Sequence, residues 1–151
     1  MSGDNNMDKD PKVMLVDDNV GEVIIAKAAL KRIDIANVEL EVFQNPLLAI
    51  QHIENLLTTK EGRESLPNII FLDLNMPEMN GSEVLRILKE KKALRTIPII
   101  IVTTSSLEED IVKCYDLHAN SVMIKPMDFD DYVHMLEITL KYWLYVYYSV
   151  K

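Results

Sequence analysis

Residues 69–73 read Ile-Ile-Phe-Leu-Asp, four apolar side chains followed directly by a carboxylate. A continuously apolar run of this length is typical of a strand that is covered on both faces of a parallel sheet. The runs Val-Met-Leu-Val at 13–16 and Ile-Ile-Ile-Val at 99–102 have the same character. The run at 38–43 alternates and the run at 122–124 is short, so both favour edge strands.

Helical patterns occupy the intervals between these runs. The first helix is predicted from an apolar stripe at steps of three and four residues, formed by Val23, Ala26, Leu30 and Ile33. The other four are predicted from their start signals: Asn45-Pro46 for a helix through about Leu57, Ser82, the capping box Ser106/Glu109, and Asp128. The polar stretch 58–66, between the second helix and the third strand, is interpreted as an extended loop.

This alternation of strand and helix predicts an α/β fold with a five-stranded parallel sheet. The order 2-1-3-4-5 places both weaker strands at the edges, which gives a flavodoxin-like, doubly wound (βα)5 arrangement. The 151 residues fit one domain, with 1–11 as a loosely ordered tail and 12–151 as the folded part, ending in an extended C-terminal helix.

The composition excludes several classes of function. A formal net charge of −8 argues against a nucleic-acid or anionic-membrane partner, because both reward a basic face. Cys114 is the only cysteine, which excludes an intrachain disulfide and a thiolate zinc site. The sequence shows no secretory signal and no apolar run of membrane-spanning length, so a cytoplasmic location is expected.

Polar side chains follow the predicted strands where each one ends. Asp17 and Asp18 follow the first strand, Asp73 the third, Thr103 the fourth and Lys125 the fifth. In a doubly wound sheet these points converge on one crevice. A single acid at a strand end is often only a turn former or helix cap, but agreement at four strand ends is much less probable by chance.

Three carboxylates that lie this close repel one another unless a cation joins them, and hard oxygen ligands favour Mg²⁺. A metal-bound carboxylate can attack phosphorus to form an acyl phosphate, while the hydroxyl and the ammonium stabilise charge on the transferred oxygens. No side chain is an obvious base for water, which favours an acyl phosphate that persists.

The chain resembles the receiver domains of two-component response regulators over about residues 12–143. Thr103 lies 30 residues after Asp73, and Lys125 lies 22 residues after Thr103, as in that family. The matching motifs are Asp17-Asp18, Asp73-Leu74-Asn75-Met76-Pro77, Gly81, Thr103 and Lys125-Pro126.

The resemblance implies a role for each metal-site residue. Asp73 is expected to accept the phosphoryl group and to bind Mg²⁺. Asp18 is expected to bind the metal directly, Asp17 through water, and Asn75 through its backbone carbonyl.

It also implies that Thr103 and Lys125 contact the phosphoryl oxygens, that Gly81 serves a turn, and that the Lys125–Pro126 bond is cis. The phosphoryl donor is expected to be a sensor histidine kinase or a histidine phosphotransfer protein. The output is expected to be a protein contact or onward phosphorelay.

Two positions depart from the usual receiver pattern. Val122 occupies the place where the family often has an aromatic switch residue, so movement of the loop after Thr103 is expected to carry the signal instead. Thr104 stands where a smaller residue is common, and its methyl group is expected either to narrow access to Asp73 or to pack, with packing favoured. The long interval before Asp73, the run 103–106 and the aromatic C-terminus are similar to single-domain regulators that partner bacterial phytochromes.

The last helix is aromatic on several faces. A stripe at helical spacing, Leu136, Leu140, Trp143 and Tyr147, is interpreted as core. Tyr142, Tyr145 and Tyr148 lie on other faces, which suggests a homodimer through this helix.

Two other functions fit the predicted fold less well. A phosphatase or phosphotransferase that turns over small substrates through an aspartyl phosphate usually keeps a second acid two residues after the nucleophile, where this chain has Asn75. A flavin-binding protein needs a phosphate-cradling loop after the first strand, where Asp17 and Asp18 repel phosphate.

Overall fold

The structure is a computed structural model that describes residues 10–35 and 37–146. Its strands are β1 (Lys12–Val16), β2 (Glu39–Phe43), β3 (Ile69–Asp73), β4 (Ile99–Thr103) and β5 (Ser121–Ile124). They form one parallel sheet in the order β2-β1-β3-β4-β5. The predicted flavodoxin-like, doubly wound fold is therefore confirmed.

Burial along the strands follows the sequence pattern. Every residue of β3 and β4 is buried, as their continuous apolar runs require, because helices cover both faces of the sheet there. β2 has no fully buried residue and β5 has one, which is the exposure expected of edge strands. Of the predicted tail 1–11, only Asp10 and Pro11 lie within the described residues, and the Pro11 carbonyl accepts a hydrogen bond from the Glu39 amide at 2.9 Å.

Within the described residues, six α-helices connect and flank the strands. They are α1 (Val20–Arg32), α2 (Pro46–Leu56), α3 (Lys60–Glu64), α4 (Gly81–Glu90), α5 (Glu108–Asp116) and α6 (Phe129–Lys141). A short 3-10 helix, Lys92–Leu94, follows α4, and a π-helix, Tyr142–Val146, continues α6. None of the described helices is long and apolar enough to cross a membrane.

Two of the predicted helix caps are confirmed. The Asn45 side chain accepts a hydrogen bond from the Leu47 amide at 2.9 Å, with Pro46 in the first turn. The Asp128 side chain accepts one from the Asp131 amide at 3.0 Å. Both side chains satisfy an amide that has no partner within its helix.

The other two predicted helix starts are wrong. α4 begins one residue before Ser82, because Asn80 is the capping residue and accepts hydrogen bonds from the Ser82 amide and hydroxyl. The capping box of Ser106 and Glu109 does not form. Leu107 occupies the cap position of α5, and the neighbouring Ser105 hydroxyl accepts from the Leu107 amide and donates to Asp110.

The stretch predicted as an extended loop, 58–66, contains the helix α3. Thr59 caps it by accepting a hydrogen bond from the Gly62 amide at 2.9 Å. The helix has no buried residue, so an apolar stripe could not reveal it.

The sheet separates two hydrophobic cores, because successive strand residues point to opposite faces. On one face, Met14, Val16, Ile70 and Leu72 pack with residues of α2, α4 and α5. On the other, residues such as Val13, Leu15 and Phe71 pack with α1 and α6.

The core face of the last helix is confirmed for its described residues. Leu136 and Leu140 are buried, and Trp143 packs partly buried against the same core. Ile138, Tyr142 and Tyr145 lie exposed on another face, whereas Tyr147 and Tyr148 lie outside the described residues.

Candidate functional site

The strand register brings the predicted site residues to one edge of the sheet. Val16 pairs with Leu72, so the next residues, Asp17 and Asp73, lie side by side. One carboxylate oxygen from each of Asp17, Asp18 and Asp73 lies within 4.8 Å of the other two. Asp17 and Asp73 are buried, so their charges are poorly screened by water.

Lys125 enters the same site from the end of β5. Its backbone amide donates to the Thr103 carbonyl at 2.8 Å, which holds the Lys125 backbone next to the end of β4. Its ammonium nitrogen lies 3.3 Å from Asp17 Oδ2 and 3.9 Å from Asp73 Oδ1.

Glu22 is a fourth acidic residue at the site, and the sequence patterns did not indicate it. Its Oε2 lies 2.5 Å from Lys125 Nζ, closer than either aspartate. The available signal was its position four residues after Asp18, in the first turn of the helix that follows the acidic pair. Asn19 fixes that turn by accepting a hydrogen bond from the Glu22 amide at 3.0 Å.

Gly81 allows α4 to start against the end of β3. A Cβ atom placed on Gly81 would lie 2.2 Å from the Asp73 carbonyl oxygen and 2.8 Å from Leu74 Cα. The Gly81 amide also donates to the Leu74 carbonyl at 2.8 Å. Glycine is therefore required here by close backbone approach, and no described glycine has a positive φ.

Comparison with known proteins decides the family. A model of the response regulator receiver domain matches residues 13–137. The chain belongs to this family. One receiver domain thus accounts for both the sheet and the acidic site.

The relatives of this receiver domain include proteins of matching length. It is 33% identical over 144 residues to the probable methanogenesis regulatory protein FilR2 of Methanothrix harundinacea, covering 95% of this chain and 90% of that protein. It is 31% identical to response regulator Rcp1 of Synechocystis, covering 95% of each. Together with the solved structure of the phytochrome response regulator RcpA, these relatives confirm the resemblance to regulators of the phytochrome group.

Solved structures agree with this assignment. The phosphorylated cyanobacterial phytochrome response regulator RcpA superposes with a TM-score of 0.82 at 26% identity, covering 95% of this chain and all of that one. A Mn²⁺-bound form of Rcp1 superposes with a TM-score of 0.78 at 30% identity, covering 93% of this chain and 99% of that one.

The Thr103 hydroxyl of this receiver domain is part of a hydrogen-bond network. Its hydroxyl oxygen is fully buried in the end of β4 and accepts hydrogen bonds from the Ser105 amide at 3.0 Å and Asn75 Nδ2 at 3.4 Å. Thr104 does not pack, contrary to expectation. It is exposed and lines an open cleft of about 580 Å³ together with Asp18, Asp73 and Asn75.

Two further expectations from the resemblance can be compared with the structure. No peptide bond between described residues is cis, so the prediction of a cis Lys125–Pro126 bond is wrong; the trans form of such a bond is favoured by about 0.5–1 kcal/mol. Val122, in the place of the usual aromatic residue, is half-buried, and its amide donates to the Tyr115 hydroxyl at 3.1 Å.

The electrostatics of the site favour an added cation. Burial, followed by the hydrogen bond shared with Glu22, raises the pKa of Asp17 to about 7. Burial also raises the pKa of Asp73, and the charge of Lys125 offsets part of that rise. Burial alone would lower the pKa of Lys125, but the bond with Glu22 and the nearby aspartates raise it. One ammonium thus faces several carboxylates.

This donor set fits a divalent metal ion. Its side-chain ligands are carboxylate oxygens, which hard cations such as Mg²⁺ prefer, and they converge from two strand ends. The acidic cluster is compatible with the metal that receiver domains bind.

Proposed function

We propose that this receiver domain is a single-domain response regulator that accepts a phosphoryl group on Asp73 in a Mg²⁺-dependent reaction. The donor is a sensor histidine kinase or a histidine phosphotransfer protein, and the signal leaves by protein contact or onward phosphorelay. The observation that carries this proposal is the convergence of three carboxylates with Lys125 at the strand ends, beside Thr103.

Each residue has a defined task in the transfer. Asp17, Asp18, Asp73 and the backbone carbonyl of Asn75 would hold the metal, and the metal would supply positive charge that stabilises the transfer. An oxygen of the Asp73 carboxylate forms the new bond to phosphorus. The bond between phosphorus and the donor atom breaks, and its electron pair leaves with the donor. No proton has to be removed from Asp73, because its carboxylate is already ionised when the metal is held.

The remaining groups stabilise the charge on the transferred oxygens. Lys125 moves its ammonium onto a phosphoryl oxygen, and the Thr103 hydroxyl turns to donate to another. No general base lies among the described residues that line the cleft beside Asp73, apart from the carboxylates themselves. Slow hydrolysis of the acyl phosphate, and hence a lasting signal, is therefore part of the proposal.

The test is the intact mass of the protein after incubation with acetyl phosphate and Mg²⁺. We expect a gain of one phosphoryl group that is lost with a chelator and in Asp73→Asn. An undiminished gain in Asp73→Asn, or no gain in the wild type, would overturn the proposal. The matched control is Asp116→Asn, at the end of α5, which is expected to be phosphorylated like the wild type.

Metal binding is expected to depend on pH through Asp17. Because the metal-free pKa of Asp17 is raised to about 7, a proton competes with the metal below that pH. Mg²⁺ affinity is expected to fall about tenfold from pH 8 to pH 6 and to change little above pH 8. Calorimetric titration at several pH values measures this. Affinity that is flat across this range, or a tenfold fall that is undiminished in Asp17→Asn, would contradict the assignment.

A homodimer through the last helix is the proposed assembly. The exposed side chains of Ile138, Tyr142 and Tyr145 recur at steps of four and three, which places them on one face. Sedimentation with and without a phosphate mimic is expected to detect a dimer that Tyr142→Ala/Tyr145→Ala loses. The control, Leu48→Ala in α2, removes an equally exposed apolar group and is expected to leave the dimer intact. A wild type that stays monomeric in both conditions would rule out this interface.

The relatives support a proposal for the class of phosphoryl donor. RcpA is a phytochrome response regulator by its title, and a phytochrome-like or related histidine kinase is therefore the proposed donor. Such a reaction takes place in the cytoplasm, which is the proposed location.

A further inference from the structure

In the unphosphorylated protein, Lys125 contacts the carboxylate of Glu22, which has no part in the proposed phosphoryl transfer. Its ammonium lies 2.5 Å from Glu22 Oε2 and 3.3 Å from Asp17 Oδ2, both within hydrogen-bond distance. Asp73 Oδ1, at 3.9 Å, lies outside that distance. Lys125, which has to contact the phosphoryl group on Asp73, is thus hydrogen-bonded to the carboxylates of Glu22 and Asp17 instead.

This contact is built into the fold rather than made by two free surface chains. Glu22 is the third residue of α1, and the Asn19 cap fixes the turn that carries it. Its side chain is only 30% exposed and that of Lys125 only 14%. A pair shielded to this extent is weakened less by water and salt than an exposed one.

We propose that Glu22 is a positioning residue that holds Lys125 away from Asp73 in the unphosphorylated protein and so slows phosphorylation. This inference rests on the proposed function, since it assumes transfer to Asp73. For Lys125 to reach a phosphoryl oxygen, its bond with Glu22 has to weaken.

The variant Glu22→Gln tests the inference, because it keeps the length of the side chain and an acceptor oxygen while removing the charge. At saturating acetyl phosphate and saturating Mg²⁺, we expect its rate of phosphorylation to exceed that of the wild type by about threefold to tenfold, the scale of the net contribution of one partly shielded hydrogen-bonded pair. Intact mass against time gives the rate. The Mg²⁺ titration of each variant sets the saturating concentration.

Glu83→Gln is a closely matched control. Glu83 is likewise the third residue of its helix, follows an asparagine cap at Asn80, and pairs with a basic side chain, Arg86. Glu83→Gln removes the same negative charge as Glu22→Gln and the same favourable interaction of that charge with the N-terminus of a helix. It lies outside the acidic site, and its rate is expected to equal that of the wild type.

The same change made in a Lys125→Gln protein separates an effect through Lys125 from a general effect of charge on the rate of phosphorylation. In Lys125→Gln, the added Glu22→Gln change is expected to leave the slower rate unaltered, because the ion pair is already gone. A rise that persists without Lys125 overturns the inference, and so does a Glu22→Gln rate equal to or below that of the wild type. If the wild type itself gains no phosphoryl group, the proposed function fails and this inference with it; a phosphorylated wild type with an unaltered Glu22→Gln rate sinks this inference alone.

Discussion

Replacing Gly81 with alanine is expected to lower the free energy of unfolding by about 3 kcal/mol or more, the upper range for overpacking a buried site. The added Cβ would lie 2.2 Å from the Asp73 carbonyl oxygen and 2.8 Å from Leu74 Cα. Both obstacles are backbone atoms of the central strand and the turn after it, so no side-chain rotation relieves the overlap. Either α4 shifts away or the end of β3 is displaced.

Urea unfolding followed by circular dichroism measures this change. The control is Gly21→Ala in α1, where the added Cβ would lie 3.2 Å from the Asn19 side-chain oxygen and alanine is the better helix former. Its free energy of unfolding is expected to stay within about 1 kcal/mol of the wild type. Equal stabilities of Gly81→Ala and the wild type would show that the close approach of α4 to Asp73 is not maintained in solution.

Lys125→Gln is expected to slow phosphorylation by acetyl phosphate by about 100-fold, because one group that stabilises the transferred oxygens is lost. The same change is expected to strengthen Mg²⁺ binding. Lys125 is the cation that contacts Asp17, Glu22 and Asp73, and its removal leaves those carboxylates more dependent on the metal. Rate and metal affinity should therefore move in opposite directions.

The two quantities come from intact mass against time and from calorimetric titration of Mg²⁺. The control is Lys91→Gln, since Lys91 is also a partly buried lysine paired with an acid, Glu54, at the far end of α4. Neither quantity is expected to change in that variant. A Lys125→Gln protein that loses rate and metal affinity together would indicate a collapsed site instead of a missing charge.

The central strands could be predicted from the sequence because a strand that is buried on both faces has a continuous run of apolar residues. The apolar runs that became β3 and β4 are fully buried in the structure. Asp17 and Asp73 could be predicted for the same reason. Each directly follows or ends such a strand, and the parallel topology then places the strand ends together.

Local polar chemistry was harder to predict, because several serines and asparagines compete for the same amides. Ser105, not Ser106, engages the start of α5, and Asn80 caps α4 ahead of Ser82. Helix α3 has no buried residue, so its sequence carries no apolar periodicity. Glu22 could not be predicted as a site residue, because an acid in the first turn of a helix is common. Only the fold shows that Lys125 lies beside it.

The hydrogen bonds around Thr103 have a mechanical consequence. The Thr103 hydroxyl accepts from the Ser105 amide, and the Ser105 hydroxyl donates to Asp110 in the first turn of α5. In the proposed reaction, a Thr103 hydroxyl that rotates to donate to a phosphoryl oxygen on Asp73 would disturb these hydrogen bonds. Rotation about one side-chain bond would thus be passed to the first turn of α5. None of these hydrogen bonds involves position 122, so the proposed route from Asp73 to α5 does not require an aromatic residue there.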